Sequence, residues 1–238
     1  MTYKFTIIIP IYNEVDNLER LEKELLQYLK MALIPTKILL INDGSTDKSQ
    51  QHIETICERH SAFGYICFTK NYGLSAALKA GFDEVDTALI GYMDADLQTH
   101  PADFNLLLEH RDNYDLITGL RTNRTDGLLK KWSSQFANRG RQLFTKDAIH
   151  DTCCPLKVIA TPYAKRVPMF RGLHRFLPAM ILLQKGRIKQ IEISHYPRIA
   201  GTTSFGFWNR SCGPLLDCFA YLWMKKNYIN YTVSKKST

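Results

Sequence analysis

Asp94, Asp96 and Gln98 lie within five residues of one another, directly after the apolar run Ala88 to Met93. Two carboxylates and an amide at the end of a buried strand supply hard oxygen ligands, the donor type that Mg²⁺ and Mn²⁺ take. Such ions accept one or two protein oxygens and complete their coordination sphere with diphosphate and water. The chemistry this spacing offers is the clamping of a nucleotide's phosphates, and the substrate it implies is a nucleotide-activated group. A bare Asp-x-Asp is also compatible with two solvated acids in a loop, so the assignment depends on what stands around it.

Two further polar loops follow apolar runs: Pro10 to Glu14 after Phe5 to Ile9, and Asn42 to Asp47 after Lys37 to Ile41. Taken singly, the first reads as a loop feeding a helix and the second as a turn with a helix cap. The elements that must position them alternate. Strands are expected at Phe5 to Ile9, Lys37 to Ile41, Tyr65 to Phe68, Ala88 to Met93 and Asp115 to Thr118. Helices are expected at Val15 to Lys30, Thr46 to His60, Leu74 to Val85 and Ala102 to Arg111. This order predicts an α/β fold with a mostly parallel, Rossmann-like sheet covered by helices on both faces. Ligands of such sheets bind outside the carboxyl ends of the strands, where all three polar loops fall. Together the loops make a site in which Asp43 could accept from a base N–H and Tyr12 could pack against the ring. No Gly-x-Gly-x-x-Gly or Gly-Lys-Ser/Thr loop occurs, which argues against dinucleotide dehydrogenases and P-loop kinases.

The 238 residues, 45% of them hydrophobic, suffice for one domain with a sizeable core and room for a C-terminal elaboration. A net charge of +8 conceals an asymmetry: residues 1–119 hold 10 Lys/Arg against 18 Asp/Glu, and residues 120–238 hold 21 against 5. A basic half suits phosphate-bearing substrates or an anionic membrane surface, or is simply a solvated face. Nucleic acid is not expected as a partner, because no helix-turn-helix, zinc finger or RNP-like pattern accompanies the charge. The six cysteines form no Cys-x-x-Cys pair, and reduced, cytosolic thiols are the expectation. Met1 to Phe5 leads straight into a strand with no signal-peptide pattern, so a cytoplasmic location is expected.

The motifs IPIYNE at 9–14, NDGSTD at 42–47 and DADLQTHP at 94–101 resemble the nucleotide-sugar half of glycosyltransferase family 2, with its GT-A fold. GLR at 119–121, HDTCCPLK at 150–157, HRFLP at 174–178 and HYPRIAG at 195–201 are similar to the polyprenyl-phosphate sugar synthases, the dolichyl-phosphate mannose synthase group. The resemblance implies that Pro10, Tyr12, Glu14 and Asp43 bind the nucleoside of a UDP- or GDP-linked sugar. It implies that Asp94, Asp96 and Gln98 hold metal and diphosphate, and that Arg121, Ser133 and Arg198 face the phosphates of acceptor and donor. It divides the chain into a GT-A catalytic domain over 1–204, with donor half 1–119 and acceptor half 120–204, and an amphipathic helix with a basic tail over 205–238. One departure stands out. The group commonly has Gly-x-Ser-Lys-Tyr after its Arg-x-x-Gly, whereas Gly201 here precedes Thr202-Thr203-Ser204-Phe205, with Ser204 at the usual lysine position.

The acceptor decides whether a base is needed. A phosphate monoester, with its second pKa near ~6, arrives largely ionised at neutral pH. A sugar hydroxyl would need proton removal, and Asp151 is then the candidate base; its other reading is a turn or capping aspartate. No run reaches the roughly 20 apolar residues that span a bilayer. Phe205 to Lys226 mixes aromatic and aliphatic residues with Arg210, Lys225 and Lys226, as suits a helix lying in the headgroup region. Phe170 to Leu183 is a second candidate, with Phe176, Leu177, Met180 and Ile181 beside Arg171 and Arg175. The expectation is therefore an inverting, metal-dependent transfer of a sugar to polyprenyl phosphate at the cytoplasmic membrane face, inversion and lipid acceptor both being implied by the resemblance. The alternatives are transfer to a sugar hydroxyl of a glycan or glycolipid, and a noncatalytic sugar-nucleotide or membrane-surface binding protein.

Overall fold

A computed structural model describes residues 2–121, 149–197, 212–230 and 234–235. The chain runs through β1 (Phe5–Ile11), α1 (Val15–Met31), β2 (Thr36–Asn42), α2 (Ser49–Arg59), β3 (Phe63–Cys67), α3 (Leu74–Glu84), β4 (Leu89–Tyr92), α4 (Asp103–Leu108) and β5 (Leu116–Arg121). Then come β6 (Lys157–Ala160), α5 (Thr161–Lys165), a 3-10 turn (Leu173–Phe176), α6 (Leu177–Leu183), β7 (Ile188–Ile193) and α7 (Cys212–Asn227). The seven strands form one sheet in the order β3-β2-β1-β4-β6-β5-β7. Strands from both sides of position 119 thus share it.

β1 is apolar nearly throughout because both its faces are covered. Phe5, Ile7, Ile9 and Ile11 pack with Leu18, Leu21 and Leu25 of α1 and with Phe104 and Leu107 of α4. Ile8 points the other way, onto Ala77, Leu78 and Phe82 of α3. The period of two along the strand meets helical stripes at a spacing of three and four, which gives helix, sheet and helix in three layers. Each such side chain contributes roughly 1.5–3 kcal/mol on leaving water.

β1 pairs in parallel with β2 on one side and β4 on the other, with Phe5 opposite both Thr36 and Leu89. The chain order reverses there, which opens a crevice at the carboxyl ends of these strands. β6 runs antiparallel between β4 and β5 and sets Lys157 opposite Tyr92. β7 pairs in parallel with β5, bringing Arg121 opposite Ile193.

The first-half elements match expectation to within a few residues, while β6 and β7 were not anticipated. The segment Phe170 to Leu183 corrects the sequence reading. Phe176, Leu177, Met180 and Ile181 are at most 2% exposed and belong to the core beneath α3. Their apolar stripe faces protein, so it is not a membrane surface. Cys57, Cys67, Cys153, Cys154 and Cys218 are free thiols, and burial pushes that of Cys154 up to about 11. Among the described residues no helix is long and apolar enough to cross a membrane.

Candidate active site

The loops after β1 and β2 are built as one unit. Asn13, with φ of 54°, occupies the left-handed region that asparagine tolerates best after glycine. Its carboxamide oxygen accepts the Thr46 N–H at 2.8 Å, and its own N–H donates to Ser45 Oγ at 3.0 Å. Asp47 accepts from the N–H groups of Val15 and Ser49, at 3.3 and 2.9 Å, so it serves the starts of α1 and α2 together. Glu14 accepts from Asn17 Nδ2 at 2.5 Å. Pro10 is half-buried and Tyr12 is exposed on the rim, where a planar ring could lie against it.

Asp43 is buried and tied to the start of α3. Its two carboxylate oxygens accept the N–H groups of Tyr72 at 2.7 Å and Gly73 at 2.8 Å. Burial raises its pKa from the usual carboxylate range, and those two bonds oppose the rise. The carboxylate is therefore a strut for the Tyr72–Gly73 loop that keeps further lone pairs for another donor. Gly44 makes this approach possible: its φ is 67°, and a Cβ there would meet the Lys70 carbonyl carbon at 2.2 Å. No other residue fits.

At the end of β4, Tyr92 donates its hydroxyl to Asp94 Oδ1 at 2.8 Å. Asp96 is 5% exposed and accepts the Gln98 N–H at 3.2 Å. Between them Leu97 adopts φ of 54°, a conformation costly for a leucine and of the kind that collects at functional sites. Burial and the neighbouring Asp96 carboxylate push the Asp94 carboxyl up to about 6. A buried carboxyl whose proton affinity is raised by an adjacent carboxylate fits a site that a cation would complete. Among the described residues no third acidic, His or Cys side chain joins them in a metal-binding cluster, so the protein's share would be two carboxylates and Gln98.

Arg121 and Asp151, separate candidates in the sequence, are one unit. Arg121 Nε and Nη2 donate to the Asp151 carboxylate at 2.7 and 3.0 Å. Burial works against the guanidinium's charge, yet the Asp151 carboxylate outweighs it and holds Arg121 more firmly protonated than usual. A carboxylate engaged by a two-pronged guanidinium is poorly suited to taking a proton from a hydroxyl. The base reading of Asp151 loses its physical support.

Sequence reasoning missed Lys157. It is 2% exposed, donates to the Cys154 carbonyl and lies over the Tyr92 ring at 5.8 Å to the centroid. Its charge also acts on Asp94 in the lowering direction. The only signal was its place at the end of HDTCCPLK, and its side-chain setting depends on antiparallel pairing with β4.

Ser133 and Arg198, together with Ser204, lie outside the described residues. The segment leading to Arg198 runs beside the acidic loop, since the Tyr196 N–H donates to the Gln98 carbonyl at 3.0 Å. Pro10, Tyr12, Glu14, Asp43, Asp94, Asp96 and Gln98 therefore share the carboxyl edge of β1, β2 and β4, and the Arg121–Asp151 pair stands two strands away.

α7 is two-faced. Cys218 and Tyr221 are buried, Tyr221 stacks on Phe176 at 5.7 Å, and Asp217 accepts from Arg175 at 3.4 Å. Phe219, Leu222 and Trp223 point outward beside Lys225 and Lys226, with Trp223 68% exposed.

Comparison with known proteins agrees with this geometry. Dodecaprenyl-phosphate galacturonate synthase of Rhizobium johnstonii is 29% identical over 94% of this chain and 68% of its own length. Undecaprenyl-phosphate 4-deoxy-4-formamido-L-arabinose transferase of Salmonella choleraesuis is 31% identical over 86% of this chain and 63% of its own length. The chain thus spans about two thirds of the length of these relatives. Glucosyl-3-phosphoglycerate synthase from Mycobacterium tuberculosis, solved with Mn²⁺, UDP and glucosyl-3-phosphoglycerate, superposes with a TM-score of 0.71 over 96% of this chain and 81% of its own, at 10% identity. That likeness shows the fold, which is GT-A. The family model described as glycosyl transferase family 2 matches residues 6–167, a span that includes the donor-edge loops, the acidic strand end and the Arg121–Asp151 pair, and the chain belongs to that family.

Proposed function

We propose that the protein transfers a sugar, with inversion, from a UDP- or GDP-linked donor to polyprenyl phosphate. The observation that carries the proposal is the pairing of Asp94 and Asp96 at the end of β4, one strand from the loop after β1 and two from Asp43. Asp43, Glu14, Pro10 and Tyr12 would receive the nucleoside. Asp94, Asp96 and Gln98 would hold Mg²⁺ or Mn²⁺. The ion supplies charge stabilisation to the departing diphosphate. Tyr92 holds the Asp94 carboxylate through its hydroxyl, and the charge of Lys157, which lies over the Tyr92 ring, favours its ionised form. Arg121, oriented by Asp151, would meet phosphate together with Ser133 and Arg198. An ionised lipid phosphate attacks the anomeric carbon from the face opposite the nucleotide, and no protein base is required.

The polyprenyl acceptor is supported by the two relatives, whose names state polyprenyl-phosphate products or acceptors. A peripheral position on the inner, anionic membrane face is supported by the outer face of α7, where aromatics stand beside Lys225 and Lys226. The domain reading follows from this: 1–119 serves the donor, 120–204 the acceptor and 205–238 the surface. Incubation of the purified protein with crude polyprenyl phosphate and UDP-glucose, UDP-galacturonate or GDP-mannose tests the proposal by product analysis. A lipid-linked sugar is expected. Sugar transfer only to glycan hydroxyls, or no transfer from any donor, would overturn it.

A further inference from the structure

We infer that His174 is a donor-binding residue, presenting its Nε2–H to an oxygen of the bound nucleotide sugar at the sheet edge that carries Asp43 and Asp94. The inference rests on the nucleotide-sugar reading above and assigns a role to a residue outside the three donor loops.

His174 lies on the 3-10 turn, with Nδ1 2.8 Å from Ser75 Oγ. Ser75 is 7% exposed, and its Oγ also accepts the Gly172 N–H at 3.1 Å. A buried hydroxyl needs an acceptor for its own proton, and among the described residues the imidazole Nδ1 is the one within reach. Nδ1 therefore accepts, and the proton of the neutral ring is assigned by this network to Nε2. Burial, then the charges of Arg175 and Lys157, push the imidazole down to about 3, so it stays neutral across the working pH range.

The placement is as specific as the tautomer. Ser75 stands two residues after Gly73, whose N–H serves Asp43, so the ring is tied to the same first turn of α3. Lys157, whose charge the ring feels, is the register partner of Tyr92 beside Asp94. His174 is thus tied to the nucleoside corner through Ser75 and lies within electrostatic reach of Lys157, the strand partner of Tyr92. The turn that carries it is fixed by Gly172, at φ of 92°, where a Cβ would meet Asp217 Oδ2 at 2.4 Å. His174 is half-buried, and among the described residues Nε2 has no acceptor. Nδ1 accounts for the attachment of the turn to α3. Nε2–H is left as a preset, uncharged donor where a ligand rich in hydroxyl and phosphate oxygens would lie.

The two nitrogens can be tested separately. His174→Asn keeps a polar atom near the Nδ1 position and removes Nε2–H. Calorimetry would compare the wild type and this variant with whichever of UDP-glucose, UDP-galacturonate and GDP-mannose the wild type binds, and with the matching nucleoside diphosphate. The loss of one hydrogen bond should weaken donor binding about tenfold, with an unchanged melting temperature and an unchanged KM for polyprenyl phosphate. Weakening toward the nucleotide sugar alone assigns the bond to the sugar, and equal weakening toward the diphosphate assigns it to the diphosphate; both support the inference. Wild-type affinity for both ligands, or a change confined to the acceptor KM, would overturn it. Should His174→Asn not fold, His174→Gln, which places an amide N–H near Nε2, should bind donor within about threefold of wild type, and His174→Leu about tenfold more weakly. Equal binding by those two overturns the inference as well. A wild type that binds no member of the panel overturns the nucleotide-sugar reading itself, and this inference with it.

Discussion

Asp151→Asn removes one charge from a pair whose side chains are only 10% and 7% exposed. The Arg121 guanidinium then stays charged in a buried setting, with a neutral amide where a carboxylate had been. Breaking one partner of a buried, hydrogen-bonded ion pair costs about 3–5 kcal/mol. The amide oxygen still accepts one N–H, which offsets about 1 kcal/mol, leaving about 2–4 kcal/mol of destabilisation. With a urea dependence of about 2 kcal/mol per molar, the unfolding midpoint should fall by about 1–2 M. Urea titration followed by circular dichroism measures that shift, and turnover is read separately without denaturant. If the nucleophile is a lipid phosphate, already ionised at pH 7.5, the folded variant should keep turnover within about tenfold, with the larger change in acceptor KM through a less rigid Arg121. An unchanged urea midpoint together with a rate loss on the order of 10² to 10⁴ would refute this reasoning, because it would make Asp151 a proton acceptor and the acceptor a hydroxyl.

Asp96→Ala should abolish transfer without lowering the melting temperature, and EDTA should do the same to the wild type; retained activity in EDTA would exclude the metal assignment. Because the Asp94 carboxyl sits at about 6 and only its ionised form ligates, Mn²⁺ affinity should fall as pH drops through that value. The same raised pKa contributes stability to the metal-free protein at low pH that is lost as pH rises through about 6, so titration of Mn²⁺ and metal-free melting should show opposite pH trends from this group. Gly44→Ala should destabilise by about 2 kcal/mol or more and weaken nucleotide binding, since its φ and the adjoining Lys70 backbone exclude a side chain; a wild-type melting curve would contradict the geometry. Lys225→Glu with Lys226→Glu should release the protein from anionic vesicles at about 1 kcal/mol or more per residue while leaving melting unchanged, as co-sedimentation would reveal.

Much of the donor edge was legible in the residue order. Buried parallel strands are written as continuous apolar runs, and their carboxyl ends as abrupt polar loops, so Pro10 to Glu14, Asn42 to Asp47 and Asp94 to Gln98 could be placed on one edge without coordinates. The second half was harder because its strands are short and their partners distant. β6 has four residues, and β7 reads Ile-Lys-Gln-Ile-Glu-Ile, a mixed pattern that gains meaning only beside β5. The apolar stretch around Phe176 to Ile181 carries the same local signal whether it meets lipid or protein, and only packing beneath α3 decided for protein.

The chain by itself determined which chemistry is available: hard oxygens at a strand end, a carboxylate at the nucleoside corner and a basic second half. Tertiary structure decided which groups meet. It turned Arg121 and Asp151, thirty residues apart, into one buried pair, set Lys157 behind Tyr92 and Asp94, and joined His174 to Ser75 across ninety-nine positions. The reason is physical. Periodicity and turn chemistry act over a few residues and are recorded locally, whereas the protonation and orientation of a buried side chain depend on neighbours that sheet order alone brings within reach.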